Sequence, residues 1–401
     1  MGSQAEQVAP AERDGAIAAL VEELGWQLID HRIVGLEARE KGFVTGHELD
    51  VETASGRERH TVYLDGDRAD RPGTVALKDA TGRALSAWLY PRDPALPALA
   101  ALVFADAAAI VLGRIGIDPA GLSLSVPSYR PGKRAVVRMA TDGGTYFGKV
   151  VKPELVEPIR ARHELWTAAG IPVPEVIASA PEGLLVLSAL DGVELSTALA
   201  GGVDTASVSS ALGELEERIH AVPSDSTARR SLGQRAPWYT ERLRGLAEAS
   251  GDRIDELEQR ITSSLRAAEG NPRPVTIHGD LHLGQVFVDP DAPATVTGVL
   301  DIDTAGLGDP ADDAAALWAH LIVTAELREI GGEGGGRVPA DAHRELAASL
   351  EGNWRREGDP DFARRVRAIA ATHLVGHALS GALAPERALD LAHETLLIPD
   401  S

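Results

Sequence analysis

The chain has 401 residues, 44% of them apolar and 25% charged, enough to bury the cores of two or three domains. Sixty acidic residues stand against 39 basic ones, a formal charge of −21. Such a surface repels nucleic acid and anionic membranes and tolerates a cationic small molecule. Cysteine is absent, which excludes a disulfide framework, a thiol nucleophile and a thiolate metal site.

Residues 1–10 are polar and carry no basic segment followed by an apolar run, so no secretory signal is expected. Glu6 stands where a myristoylation signal needs Ser or Thr. The longest apolar stretch, 96–113, is Ala-rich and interrupted by Asp106, which predicts a buried helix and not a membrane span. A cytoplasmic protein without membrane or nucleic-acid partners is the resulting expectation.

Ile17, Leu20, Val21 and Leu24 recur at helical spacing and predict a helix over 11–29. Short β-type runs follow at 43–49, 60–64, 74–78 and 84–89, the last two joined at Thr81-Gly82. Pro91, Pro94 and Pro97 end that pattern before a helix at about 96–115. A second pattern starts near 123. The basic turn Tyr129-Arg130-Pro131-Gly132-Lys133-Arg134 precedes a strand at 135–138, and Asp142-Gly143-Gly144 turns the chain into a strand at 145–151 that carries Lys149. A helix at 153–168 and a strand at 183–190 complete the order of a small antiparallel nucleotide lobe. Beyond 194 helices dominate, at 204–221, 236–248, 253–268, 311–328, 339–351, 359–380 and 384–396, with a Gly/Glu linker at 331–336. β-type runs at 275–277 and 296–302 interrupt them.

The chemistry concentrates around those two runs. His278-Gly279-Asp280-Leu281-His282-Leu283-Gly284-Gln285 follows the first, and Asp301-Ile302-Asp303 closes the second, sixteen residues after Gln285. Polar side chains beside buried strands need partners, and a divalent ion supplies one. Phosphoryl transfer needs a carboxylate for the acceptor hydroxyl, oxygen ligands for magnesium and positive charge on the phosphates. Asp280 is suited to the first role, Gln285 and Asp301 to the second and Lys149 to the third. Transition-state charge beyond the metal and the lysine has no assigned residue. Asp303 either binds a second magnesium or shapes the loop. His278 and His282 stand four apart, but Gly279 and Gly284 argue against the continuous helix that a zinc-binding pair would use.

These stretches resemble the catalytic and metal motifs of the aminoglycoside phosphotransferase-like kinases, a superfamily with a protein-kinase-like fold. His278, Gly279 and Asp280 match its His-Gly-Asp, Gln285 takes the place of its Asn, Asp301 matches its metal-binding Asp, and Gly308-Asp309-Pro310 with Asp313 fits its following Gly-Asp-Pro-x-x-Asp. The Gln-containing loop is similar in form to the maltokinase-like actinobacterial sugar kinases. The resemblance covers about 125–400.

It implies a bilobal α+β fold, with residues 121–192 as a mainly antiparallel nucleotide-binding lobe and hinge and 193–401 as a helical lobe with the catalytic and metal loops. Residues 1–120 form an additional α+β module. It further implies ATP, or another nucleoside triphosphate, and Mg2+ as cofactors. A clear Gly-rich loop is missing, and Arg130 and Lys133 take its position. Glu164 is the expected partner of Lys149, with Glu157 and Glu154 as alternatives on the same helix. Backbone groups of Ser188 and Leu190 would face adenine. His278 would fix the catalytic loop through backbone carbonyls, while His282 either contacts substrate or packs beneath the loop. Asp309 would brace the catalytic loop and Asp313 would begin the following helix.

The implied partners are a nucleotide and a small hydroxyl-bearing acceptor. Glu326, Glu329, Glu345, Glu351 and Asp359, with Trp318 and Trp354, offer ammonium-binding and ring-stacking groups. A sugar, amino sugar or aminoglycoside is therefore expected first, with choline or homoserine as other acceptors and a catalytically silent nucleotide-binding domain as the alternative of another class.

Overall fold

The computed structural model describes residues 10–38, 42–66, 73–78, 84–268, 273–331, 340–354, 359 and 361–397. The turn expected at Thr81-Gly82 and nearly all of the 331–336 linker lie outside them. No helix among the described residues is long and apolar enough to cross a membrane.

The fold is bilobal α+β, sheet-rich in its N-terminal part and largely helical in its C-terminal part. Two compact units divide it, one comprising residues 1–161 with 175–189 and the other 162–174 with 190–401.

In the first unit, helix α1 (Pro10–Glu23) is followed by β1 (Gln27–Ala38), β2 (Phe43–Thr53), β3 (Gly56–Asp65), β4 (Val75–Lys78) and β5 (Ala84–Leu89), an antiparallel sheet in the order β1-β2-β3-β5-β4. Ile17, Leu20 and Val21 bury the apolar stripe of α1 against Leu49, Val62, Leu64 and Leu85. The helix is shorter than expected. Gly25, at φ 68°, takes a left-handed conformation that suits glycine, and the chain leaves as β1. Strand β1 lacks clear alternation because Leu28, Ile29, Ile33 and Val34 are all exposed on it.

Short helices α2 (Ala100–Val103) and α3 (Ala105–Arg114) replace the single helix expected at 96–115, interrupted at Phe104, whose backbone is extended. The second sheet comprises β6 (Ser123–Arg130), β7 (Arg134–Thr141), β8 (Gly144–Val151), β9 (Val176–Ala180) and β10 (Leu184–Ser188), all antiparallel in the order β6-β7-β8-β10-β9. Leu99, Leu102 and Leu112 pack with Val137, Met139, Val150 and Val186. Gly148 has no side chain because a Cβ there would come within 2.2 Å of the Leu102 side chain. A polar contact also joins the segment after β5 to the second sheet. The buried Asp93 carboxylate accepts from the Tyr129 hydroxyl at 2.9 Å and from the Gly132 N–H at 2.6 Å.

Helix α4 (Val156–Ala168) spans the boundary between the units. The second unit continues with β11 (Val193–Glu194), α5 (Leu195–Ala198), α6 (Thr205–His220), α7 (Ala236–Arg244), α8 (Gly251–Ala267), β12 (Val275–Ile277), β13 (Val286–Val288), β14 (Val296–Val299) and β15 (Gly306–Gly308). Helices α9 (Ala311–Gly331), α10 (Ala340–Gly352), α11 (Phe362–Leu379) and α12 (Pro385–Leu397) complete it. Helix α11 is buried nearly all round, its Arg365, Arg367, Thr372 and His373 included, and packs against α7, α8, α9 and α12. Trp318 and Trp354 are buried in this core with ring centroids 6.0 Å apart, and Trp354 also lines a cavity of about 560 Å3.

Candidate active site

Strand β12 leads directly into the His-Gly-Asp loop, and β13 with β14 forms the hairpin that follows it. Pairing of Val286 with Val299 continues one step further, where Leu300 N–H donates to the Gln285 carbonyl at 2.8 Å. The hairpin therefore brings Gln285 and Asp301 to the same end despite their separation in sequence. Asp301 has φ 57° and ψ 43°, the one positive-φ residue other than glycine among those described. Aspartate is among the few side chains that enter this region, and such local strain is retained where surrounding contacts enforce it.

Gln285 is buried, and its Oε1 has no hydrogen-bond partner among the described residues. A sealed amide oxygen without a donor is costly, and a hard cation would satisfy it. No group of three or more His, Cys, Asp or Glu placed to hold a metal occurs among the described residues. A magnesium ion held by one or two protein oxygens and by substrate phosphates fits that donor set. Asp303 lies in a single 3-10 turn, and its carbonyl accepts from Arg162 Nη1 at 2.9 Å.

The loop carrying Asp280 is held by its backbone. Asp313, on the first turn of α9 and 1% exposed, accepts from the His278 N–H at 2.6 Å and the Gly279 N–H at 2.7 Å. Burial pushes its carboxyl pKa up, while His278 and these amide bonds pull it back. Asp309 instead caps α9, accepting from Ala311 N–H at 3.0 Å, and pairs with Arg365 at 2.7 Å. Asp313, and not Asp309, thus braces the loop, because it sits one helical turn further in and beneath the strand end. Replacing Asp313 by alanine leaves two buried amides without an acceptor. A loss of about 2–6 kcal/mol is expected in urea unfolding, from about 1–3 kcal/mol per unsatisfied group.

His278 Nε2 lies 2.8 Å from the Leu300 carbonyl and donates to it, tying the His-Gly-Asp loop to the Asp301 turn. Gly279, at φ 84°, cannot carry a side chain: a Cβ would meet the Thr304 carbonyl at 2.7 Å. His282 Nδ1 accepts from Gly284 N–H at 3.2 Å, and its ring stacks on His320 at 4.4 Å.

Arg229 is the residue that sequence reasoning missed. Its Nη2 donates to Asp280 Oδ1 at 2.8 Å, and its backbone N–H donates to Thr304 O at 3.0 Å. It precedes Asp280 by 51 residues and stands in an irregular segment without a motif. Only the bonding of residues 227–229 to Thr304 and Leu307 brings it to the site.

On the other side of Arg229 a cavity of about 600 Å3 is lined by Ser231, Asp309, Asp312 and Arg365, among others. Asp312 accepts from Ser231 Oγ at 2.5 Å, yet burial pushes its pKa up to about 7, with Asp309 and Asp313 adding repulsion. An acid whose folded pKa exceeds its unfolded value costs stability as pH rises through that interval. Asp312→Asn is therefore expected to stabilise the protein by about 2–4 kcal/mol at pH 8, with the gain gone below pH ~4, where both states are protonated. Urea unfolding at the two pH values measures the difference.

In the first unit Lys149 is 6% exposed on β8 and pairs across the sheet with Leu185. The turn at 130–133 has two of its amides engaged: Gly132 N–H goes to Asp93, and Lys133 N–H goes to the Arg130 carbonyl at 2.9 Å. Arg130 is exposed and Lys133 half-buried. Ser188 N–H is likewise engaged, by the Glu175 carbonyl at 3.0 Å, which leaves the Ser188 amide without a hydrogen for a base. Glu157 pairs with Arg160 on the helix surface, and Glu154 and Glu164 are exposed. In the second unit the Leu190 side chain lies over Gly298 of β14.

The sequence profile of the phosphotransferase enzyme family, abbreviated APH, matches residues 132–348. A macrolide 2'-phosphotransferase from Brachybacterium faecium is similar at 21% identity, over 74% of this chain and 99% of that one, with a TM-score of 0.45. An aminoglycoside phosphotransferase, APH(3'')-Id, from Streptomyces rimosus is similar at 24% identity, over 66% and 97%, with a TM-score of 0.42. No curated protein matches. Since the profile spans more than half of the chain, and the His-Gly-Asp loop and the Asp301 turn lie inside it, the protein belongs to the APH phosphotransferase enzyme family.

Proposed function

We propose that this chain is an ATP- and magnesium-dependent kinase that phosphorylates a hydroxyl of a sugar or amino sugar, with aminoglycoside phosphorylation as a version of the same chemistry. The observation that carries the reading is the pairing of Asp280 with a buried, partnerless Gln285 amide oxygen and the left-handed Asp301 on one hairpin. The maltokinase-like sugar kinases are the proposed branch, on the strength of Gln285 in the loop.

Arg229 engages Asp280 Oδ1 and thereby sets the carboxylate's orientation. Oδ2 then accepts the hydroxyl of the acceptor and takes its proton as the new P–O bond forms and the bond to the leaving diphosphate breaks. Gln285 and Asp301 would hold magnesium, which when bound neutralises charge on the phosphates. Lys149 is assigned to the α- and β-phosphates. Arg130 and Lys133 can approach phosphate only through their side chains, since the Gly132 and Lys133 amides are engaged. The Arg229 guanidinium also supplies positive charge next to the transfer site, the role for which no residue was evident in the sequence.

Incubating the protein with ATP and magnesium against separate panels of sugars, aminoglycosides and proteins tests the reading. Phosphate is expected on a sugar-type small molecule and not on protein. Nucleotide binding without transfer to any acceptor would favour the silent domain.

A further inference from the structure

Four histidines converge beside Asp280. His282 comes from the catalytic loop, His320 from α9, and His373 with His377 from one face of α11, where residues four apart align. The His282 and His320 rings stack at 4.4 Å with 20° between their planes, and His377 meets His320 edge-on at 4.6 Å. His373, 6% exposed, is within electrostatic reach of Asp280, Arg229, His282 and His377. Neither of its ring nitrogens bonds to a protein atom among the described residues.

Nothing in the core explains this assembly. Apolar residues of similar size would fill the space without the cost of desolvating polar nitrogens. The group is not placed to hold a metal. Burial lowers the pKa of all four, to about 2 for His320 and about 3 for His373. A neutral imidazole carries one donor and one acceptor, the complement of an alcohol.

Of the five acids that offered themselves to an ammonium-rich ligand, Glu345 is exposed on α10 and the other four are engaged elsewhere. Glu326 pairs with Arg344 and Arg387, Glu329 with Arg344, and Asp359 with Arg365. Glu351 accepts from the Trp318 indole at 2.8 Å.

We propose that His282, His320, His373 and His377 form the acceptor subsite, taking the hydroxyls of a sugar-type ring in preference to a polycationic aminoglycoside. This rests on the phosphotransferase reading and deepens it.

The test has two arms, both on the full chain. In the first, histidine side-chain resonances are followed by nitrogen–proton correlation NMR while glucose, glucosamine or gentamicin is titrated into the ADP–magnesium-saturated protein. Either sugar is expected to shift the four rings together. Silence of these rings to both sugars, or a response to gentamicin alone, overturns the subsite. In the second, His320→Asn, His373→Asn and His377→Asn are assayed on the phosphorylated sugar after circular dichroism confirms their fold. The acceptor KM is expected to rise by about tenfold or more with KM for ATP unchanged. An unchanged acceptor KM in all three overturns the proposal. Ring shifts without phosphate transfer by the wild type would instead count against the kinase reading and leave the subsite standing.

Discussion

Asp280→Ala is expected to lower kcat by about 10^3-fold while nucleotide affinity stays within about twofold, because a positioned general base contributes about 10^2 to 10^4. The residue is about one-third exposed and bonded to Arg229, so truncation removes no buried core contact. Stability should therefore change little. Steady-state phosphate transfer and calorimetric titration of ADP separate the two quantities. Retention of near-wild-type turnover would remove Asp280 from the mechanism. Asp280→Asn is the sharper companion: it keeps an oxygen near Arg229 but cannot take the proton, so its kcat should fall nearly as far.

Asp301→Asn is expected to reduce kcat/KM by about 10^2 to 10^3, the scale of losing one charge-stabilising group at a transfer centre. The choice of asparagine matters. Asparagine tolerates the left-handed conformation that Asp301 adopts, so the turn is kept while the charge is lost. The half-saturating magnesium concentration should rise by about tenfold or more. Asp301→Ala would add backbone strain, and its lower melting temperature would distinguish strain from lost coordination. An unaltered magnesium requirement in the asparagine variant would show that Asp301 does not hold the ion.

The elements most legible in the sequence were those with a strong period or punctuation. The seven C-terminal helices are found within a few residues of their expected ranges, and β5 and β12 match residue for residue. Strands β1, β6, β9 and β13 were missed, as were the two-residue β11 and three-residue β15, each for a physical reason. Strand β1 exposes its large apolar residues, β6 is mostly exposed or half-buried and contains Pro127, and β9 and β13 are five and three residues long. Pairing stabilises such strands, and a single sequence does not display its pairing partners.

The stretch proposed as catalytic was legible because its parts are close in the chain. Asp280, Gln285 and Asp301 lie on one loop and the hairpin that follows it, so their spacing reflects local backbone geometry. The acids proposed for substrate binding misled for the opposite reason. Composition placed Glu326, Glu329, Glu351 and Asp359 near one another but could not show that Arg344, Arg387, Trp318 and Arg365 already engage them.

By itself the sequence carried the His-Gly-Asp loop with Gln285 and Asp301 at their spacing, because these lie along one stretch of chain, and the bilobal α+β class came only through the family resemblance of those motifs. Tertiary structure alone decided that Arg229 holds Asp280, that Asp313 holds the loop, and that His320, His373 and His377 gather beside it. Those contacts join residues 34 to 57 positions apart, where tertiary packing, and not local sequence, sets what meets.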